Sequence, residues 1–128
     1  MKETLRSVKR SDYRGEVKTF IVKDWGKNYF GRILVFFEGG SVLGRDLLSN
    51  IADAVDHGII CGTCYVKPKK RSLVSFVKYG VRNLVNSEKN VDKLFFCSKK
   101  SYKIPFEKVI LDAKKKKKFK IVKGFVSV

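Results

Sequence analysis

Most apolar residues of this chain lie in short runs rich in β-branched and aromatic side chains, and glycine or charged residues separate the runs. The runs cover residues 16–24, 29–38, 58–67, 91–98, 101–113 and 118–128. Runs of this length and type, bounded by turn-forming residues, are typical of β-strands. The sequence therefore predicts a sheet of about six to eight strands.

One segment has a helical pattern instead. Leu43, Leu47, Ile51 and Val55 recur every four residues, and Gly58 follows the last of them. This spacing places the four side chains on one face of a helix, and glycine commonly ends a helix. The pattern predicts a helix over 43–56. Residues 72–86 fit either a second helix or two short strands.

The order of these elements predicts an α+β fold. Its sheet is mostly antiparallel, forms a sandwich or a partly closed barrel, and has one or two inserted helices. A compact jelly roll is one form of that sandwich. A chain of 128 residues without a linker-like segment predicts one globular domain over 15–128, preceded by a basic amino-terminal arm over 1–14.

Several absences indicate the cellular compartment. No apolar run approaches the roughly 20 residues of a membrane-spanning helix, and the charged amino terminus does not resemble a secretory signal. Three cysteines are too few and odd in number for a disulfide framework. We expect an intracellular protein, cytoplasmic or nuclear, without a membrane span.

Positive charge is concentrated in the second half of the chain. The net charge is +17, and residues 1–60 contribute +2 whereas residues 61–128 contribute +15. A compact core gains nothing from such an excess, because like charges repel one another. A one-sided excess is typical of a surface that binds a polyanion, and nucleic acid is the partner we expect.

Three clusters carry this charge. The predicted nucleic-acid-binding residues are Lys67, Lys69, Lys70 and Arg71 in the first, Lys99, Lys100, Tyr102 and Lys103 in the second, and Lys114, Lys115, Lys116, Lys117 and Lys118 in the third. Lysine ammonium groups suit contact with phosphate more than bidentate reading of bases. Tyr102 is the best candidate for stacking on an unpaired base, and Tyr65, Tyr79 and Phe119 are further candidates. Lysine runs of this kind also serve as nuclear-localisation signals.

The stretch HGIICGTCYV, residues 57–66, allows two other interpretations. His57, Cys61 and Cys64, with Cys97 as a fourth ligand, have the residue types of a zinc site, and Gly62 would ease the turn between the two cysteines. The Cys61–Cys64 pair also has the spacing of a redox motif. Apolar neighbours on both sides favour plain core packing of the cysteines instead. We therefore expect no cofactor, with zinc as the alternative.

The residues favour a non-enzymatic protein that binds RNA or single-stranded DNA through a lysine-rich face of residues 61–128. A viral or ribonucleoprotein component would suit such a basic domain. One alternative is a self-assembling structural protein, such as a small viral capsid or movement component, that forms homo-oligomers. Another is a metal-dependent nuclease that uses carboxylates of the predicted helix, namely Asp46, Asp53 and Asp56.

Overall fold

The structure is a computed structural model that describes residues 2–11, 13, 32–37, 40–68, 77–78, 87–102 and 106–127. The predicted strand over 16–24 lies outside these residues, and so does the segment 72–86 apart from residues 77–78. The described strands are β1 Ile33–Phe37, β2 Val42–Leu43, β3 Cys61–Lys67, β4 Leu94–Ser98 and β5 Phe119–Ser127. The described α-helices are α1 Lys2–Arg10, α2 Leu47–Asp56 and α3 Phe106–Lys115.

The five strands form one sheet in the order β1-β4-β3-β5-β2. β3 and β5 run parallel, and the other three neighbouring pairs are antiparallel. The sheet curls into a half-barrel. The prediction of an α+β fold with a mostly antiparallel, partly closed sheet is thus confirmed. A second sheet, which a sandwich or jelly roll requires, is not among the described residues.

Helix α2 covers one face of the sheet. Leu47, Ile51 and Ala54 are buried against side chains from β3 and β5, including Cys64 and Val122. The predicted helix over 43–56 is confirmed for residues 47–56, with Leu47, Ile51 and Val55 facing the core, but the helix begins at Leu47 and not at Leu43. The reason is that Val42–Leu43 pairs with the end of β5 as a short strand, so that Leu43 joins the same core from the sheet.

Helix α3 covers part of the opposite face. Val109 and Ala113 are buried there against Cys61, Phe95 and Cys97. The prediction of a strand over 101–113 is wrong for residues 106–113. Val109 and Ala113 are four residues apart, which aligns them on one helical face, and burial of that face outweighs the strand preference of the β-branched side chains. Glu107 in the first turn and Lys114 and Lys115 in the last turn complement the helix dipole.

The amino-terminal segment contains helix α1, which packs on the edge of the sheet near β2. The Ser7 hydroxyl is buried and accepts a hydrogen bond from the backbone N–H of Leu43 at 3.0 Å. Val8 packs against the core on the α2 side. Residues 2–10 are therefore helical, whereas the division of the chain into an arm and a globular domain stays a prediction.

None of the described helices is long and apolar enough to cross a membrane.

A tight turn joins α3 to β5. The N–H of Lys118 donates to the carbonyl of Ala113 at 2.7 Å, and the N–H of Lys117 donates to that of Lys114 at 3.1 Å. This pair of bonds defines a Schellman motif. Its left-handed position, usually glycine, is held here by Lys117 with φ 58°.

We expect Lys117→Gly to raise the free energy of unfolding by about 1 kcal/mol, because glycine removes the clash between Cβ and the backbone in this conformation. Urea denaturation would measure the change. Lys117→Ala is the control, since it removes the same charge and keeps Cβ. Equal stability of the two variants would contradict the expected strain.

Candidate nucleic-acid interface

Ile60, just before β3, connects two of the predicted lysine clusters. Its N–H donates to the carbonyl of Lys118 at 2.9 Å, and its carbonyl accepts the N–H of Ser98 at 2.9 Å. β3 runs parallel to β5 and antiparallel to β4. The start of β3, the start of β5 and the end of β4 therefore lie at the same end of the sheet.

This end of the sheet collects seven exposed lysines. Two directly follow β4 and five directly precede β5, and we call them the basic end: Lys99, Lys100, Lys114, Lys115, Lys116, Lys117 and Lys118. The two groups are separated in sequence by helix α3 and brought together by the fold. Within the run 114–118, Lys114 and Lys115 form the last turn of α3, and Lys116 to Lys118 form the turn before β5.

Side-chain contacts and turn hydrogen bonds restrict the positions of several lysines of the basic end. Lys114 Nζ lies 5.4 Å from the ring centroid of Phe119, in a cation–π contact. Lys116 Nζ lies 3.4 Å from a carboxylate oxygen of Asp112, and both side chains are more than half exposed. Exposed pairs of this kind contribute little, so Lys116 stays available to a phosphate. The turn that carries Lys116 to Lys118 is fixed by its own backbone hydrogen bonds.

Arg32 borders the basic end. Its carbonyl accepts the N–H of Lys99 at 2.9 Å, and its guanidinium pairs with the carboxylate of Asp56 at the end of α2. We restrict the basic end to the lysines of the two predicted clusters, so Arg32 is not part of it.

The first lysine cluster begins at the other end of the sheet. Lys67 is exposed and is the last residue of β3, six positions after Cys61, which corresponds to about 20 Å along the strand. Lys69, Lys70 and Arg71 lie outside the described residues. The basic end and Lys67 thus occupy opposite ends of the central strand pair.

Tyr102 is packed more tightly than a free stacking platform. Its ring stacks on Phe36, with centroids 5.7 Å apart and planes 23° apart, and it is partly buried beside the core under α3. One face of the ring is therefore occupied by Phe36. Lys103 lies outside the described residues.

The potential zinc ligands point in different directions. Cys61 belongs to the core under α3, together with its cross-strand neighbour Cys97, whereas Cys64 belongs to the core under α2. Side chains three positions apart in a strand point to opposite faces. His57 is exposed, and its Nδ1 lies 2.7 Å from the carbonyl oxygen of Asp53. The four groups do not converge. Gly62 lies inside β3, in agreement with the strand predicted over 58–67, and not in a turn between the two cysteines.

The predicted core packing of the cysteines is confirmed. All three are buried, free thiols. Burial raises the pKa of Cys61 to about 11 and those of Cys64 and Cys97 to about 12. A redox-active pair needs the opposite shift, because the thiolate is the reactive form.

We expect the native thiols to react with a disulfide reagent at pH 8 only as fast as the fold opens, because they are buried and protonated. The reaction would be followed by absorbance, with the guanidinium-unfolded protein as the reference for full reactivity. Labelling of the native protein at the rate of the unfolded chain would contradict the buried arrangement.

Two of the three carboxylates proposed for a nuclease already lie beside basic side chains. The Asp56 carboxylate pairs with the Arg32 guanidinium, and Asp53 Oδ1 lies 3.4 Å from His57 Nδ1. Asp46 precedes the first turn. In the part of the chain that the structure describes, no three His, Cys, Asp or Glu side chains are grouped so that they could hold a metal ion.

Phe125 is a surface residue that the sequence interpretation missed. Its side chain is 43% exposed on β5, beside Tyr65. The available signal is Gly124, because a glycine inside a strand pattern indicates a bulge, which redirects its neighbours.

Comparison of the chain with models of known protein families, with curated proteins and with solved structures gives no significant match.

Proposed function

We propose that this protein is a non-enzymatic nucleic-acid-binding protein that captures RNA or single-stranded DNA by its phosphates at the basic end. The observation that carries the proposal is the meeting of Lys99 and Lys100 with Lys114 to Lys118 through the two hydrogen bonds of Ile60. Lysines that are distant in sequence share one exposed end of the sheet. A row of phosphates can contact several of them at once.

The mechanism is electrostatic. Each lysine that neutralises a phosphate releases a condensed counterion, and this release drives binding at low salt. Lysine contacts phosphate as a point charge and does not read bases by a bidentate fork. Binding through the basic end is therefore expected to depend weakly on base sequence. The high net charge of +17 would also accelerate the encounter with a polyanion.

The test is equilibrium binding of single-stranded RNA, single-stranded DNA and duplex DNA, measured in parallel between about 50 and 200 mM salt. If five or more lysines contact phosphates, the plot of log K against log salt has a slope of about −3.5 or steeper for single strands. The absence of binding to all three nucleic acids at the lowest salt would overturn the proposal.

A further inference from the structure

A second surface lies about 13 to 20 Å from the basic end, at the other end of β3 and β5. Tyr65, Lys67 and Phe125 form it, and we call it the aromatic patch. The ring centroids lie 6.0 Å apart with the planes tilted by 43°, and Lys67 Nζ lies over the Phe125 ring, 5.5 Å from its centroid. We infer that the aromatic patch is a stacking site for an unpaired base of single-stranded nucleic acid.

An irregularity in the sheet creates this patch. Cys64 pairs with Val122, but the next residue, Tyr65, pairs with Phe125, so that Lys123 and Gly124 are extra residues in β5. A regular ladder would place Lys123 beside Tyr65. The bulge replaces that lysine by a phenyl ring and brings two aromatic side chains together on one face.

The fold supports the bulge with specific contacts. Gly124 has φ 129°, a conformation that side chains disfavour, and an added Cβ would lie 3.0 Å from Leu47 Cδ1. The carbonyl of Lys123 accepts a hydrogen bond from the Asn50 side chain at 2.7 Å. The carbonyl of Phe125 accepts the N–H of Gly44 at 2.8 Å. Hydrogen bonds to the backbone of β5 thus fix the position of Phe125, although 43% of its side chain is exposed.

The chemistry of the patch matches a nucleotide. An aromatic ring on a sheet surface stacks on any base, and an adjacent ammonium group can pair with the neighbouring phosphate. A duplex keeps its bases stacked on one another, so that only unpaired bases fit this site. The inference rests on the proposed function and deepens it: one single strand would contact phosphate-binding lysines at one end of β3 and β5 and stack a base at the other.

We expect Phe125→Leu to weaken binding of a single-stranded RNA or DNA about tenfold or more, because leucine keeps an apolar side chain and removes the ring. Binding of duplex DNA and the slope of log K against log salt are expected to stay as in the wild type. Circular dichroism and the thermal midpoint would verify the fold. Wild-type affinity of this variant for single strands would overturn the inference, and so would an equal loss for duplex.

A second variant reports stacking directly. In Phe125→Trp, the added tryptophan fluorescence is expected to be quenched by a single strand and not by a duplex, measured relative to the wild type with its one tryptophan. Leu111→Trp probes the basic end instead, because Leu111 is 60% exposed on α3, one turn before Lys114 and Lys115. Quenching at position 111 without quenching at position 125 would overturn the inference. If the wild type binds nucleic acid and these results fail, only the aromatic patch is refuted. If the wild type binds none, the proposed function fails as well.

Discussion

Gly62→Ala is expected to lower the free energy of unfolding by about 3 kcal/mol or more, which is a large part of the stability of a small domain. Gly62 lies in β3 between Cys61 and Thr63, where β3 pairs with both β4 and β5. An added Cβ would overlap the carbonyl oxygen of Lys120 and would lie 2.8 Å from Cζ of Phe96.

Neither neighbour can move easily. The Lys120 carbonyl belongs to the backbone of the paired strand β5, and Phe96 is fully buried in the core. Alanine at position 62 therefore forces β3 and β5 apart or displaces a core ring. Thermal unfolding would detect a fall in the midpoint of about 10 °C or more.

Gly40→Ala is the control for backbone strain. Gly40 has φ 86°, but an added Cβ meets no atom within 4 Å. This variant should therefore show only the cost of an alanine in a left-handed conformation, about 1 kcal/mol. A loss of stability for Gly62→Ala no larger than that for Gly40→Ala would contradict the close approach of β5.

Combined replacement of Lys99, Lys100, Lys116, Lys117 and Lys118 by glutamine is expected to weaken single-strand binding on the order of 10³-fold at about 0.1 M salt. The reason is the loss of five phosphate contacts, each of which contributes about 0.7 to the salt slope for a single strand. The slope itself should fall by about 3.5. Filter binding at several salt concentrations measures both quantities.

A matched variant separates location from net charge. Glutamine at five exposed or partly exposed basic positions away from the basic end removes the same charge: Arg6, Lys9, Arg10, Lys89 and Lys93. The first three lie on α1, and the last two lie just before β4, at the end of that strand opposite Lys99. We expect a smaller loss of affinity from this variant, because these residues lie at the end of the sheet that carries the aromatic patch and not at the basic end. Equal losses in the two variants would mean that net charge, and not the basic end, governs binding.

Local pattern was sufficient to predict part of the fold. The four-residue spacing of Leu47, Ile51 and Val55 predicted α2, and the short apolar runs predicted β3, β4 and β5. In α3 the β-branched Val109 and Ile110 suggested a strand, and only the tertiary burial of Val109 and Ala113 decides for a helix. Propensity in a ten-residue segment is a weaker determinant than the face it buries.

The sequence was sufficient to predict which lysines form the basic end, but not how the fold brings them together. The lysine clusters are visible in the sequence, but the meeting of Lys99 and Lys100 with Lys114 to Lys118 depends on strand order and direction. Strand order has no signature in a single sequence, so the separation of Lys67 from the basic end could not be foreseen.

For the Cys61–Cys64 pair, by contrast, the sequence was sufficient to predict that the two thiols lie on different faces of the sheet. A strand over 58–67 puts Cys61 and Cys64 on opposite faces by its two-residue period, which disfavours chelation of one ion by that pair. The structure places them in two different cores, as that period requires.

The most direct test of the central claim is the acetylation rate of each lysine, measured by mass spectrometry with and without a bound single-stranded RNA. The account predicts strong protection at Lys99, Lys100 and Lys116 to Lys118, with little change at Lys9 and Lys89. Protection spread evenly over all these lysines, or absent from the basic end while the RNA is bound, would contradict it.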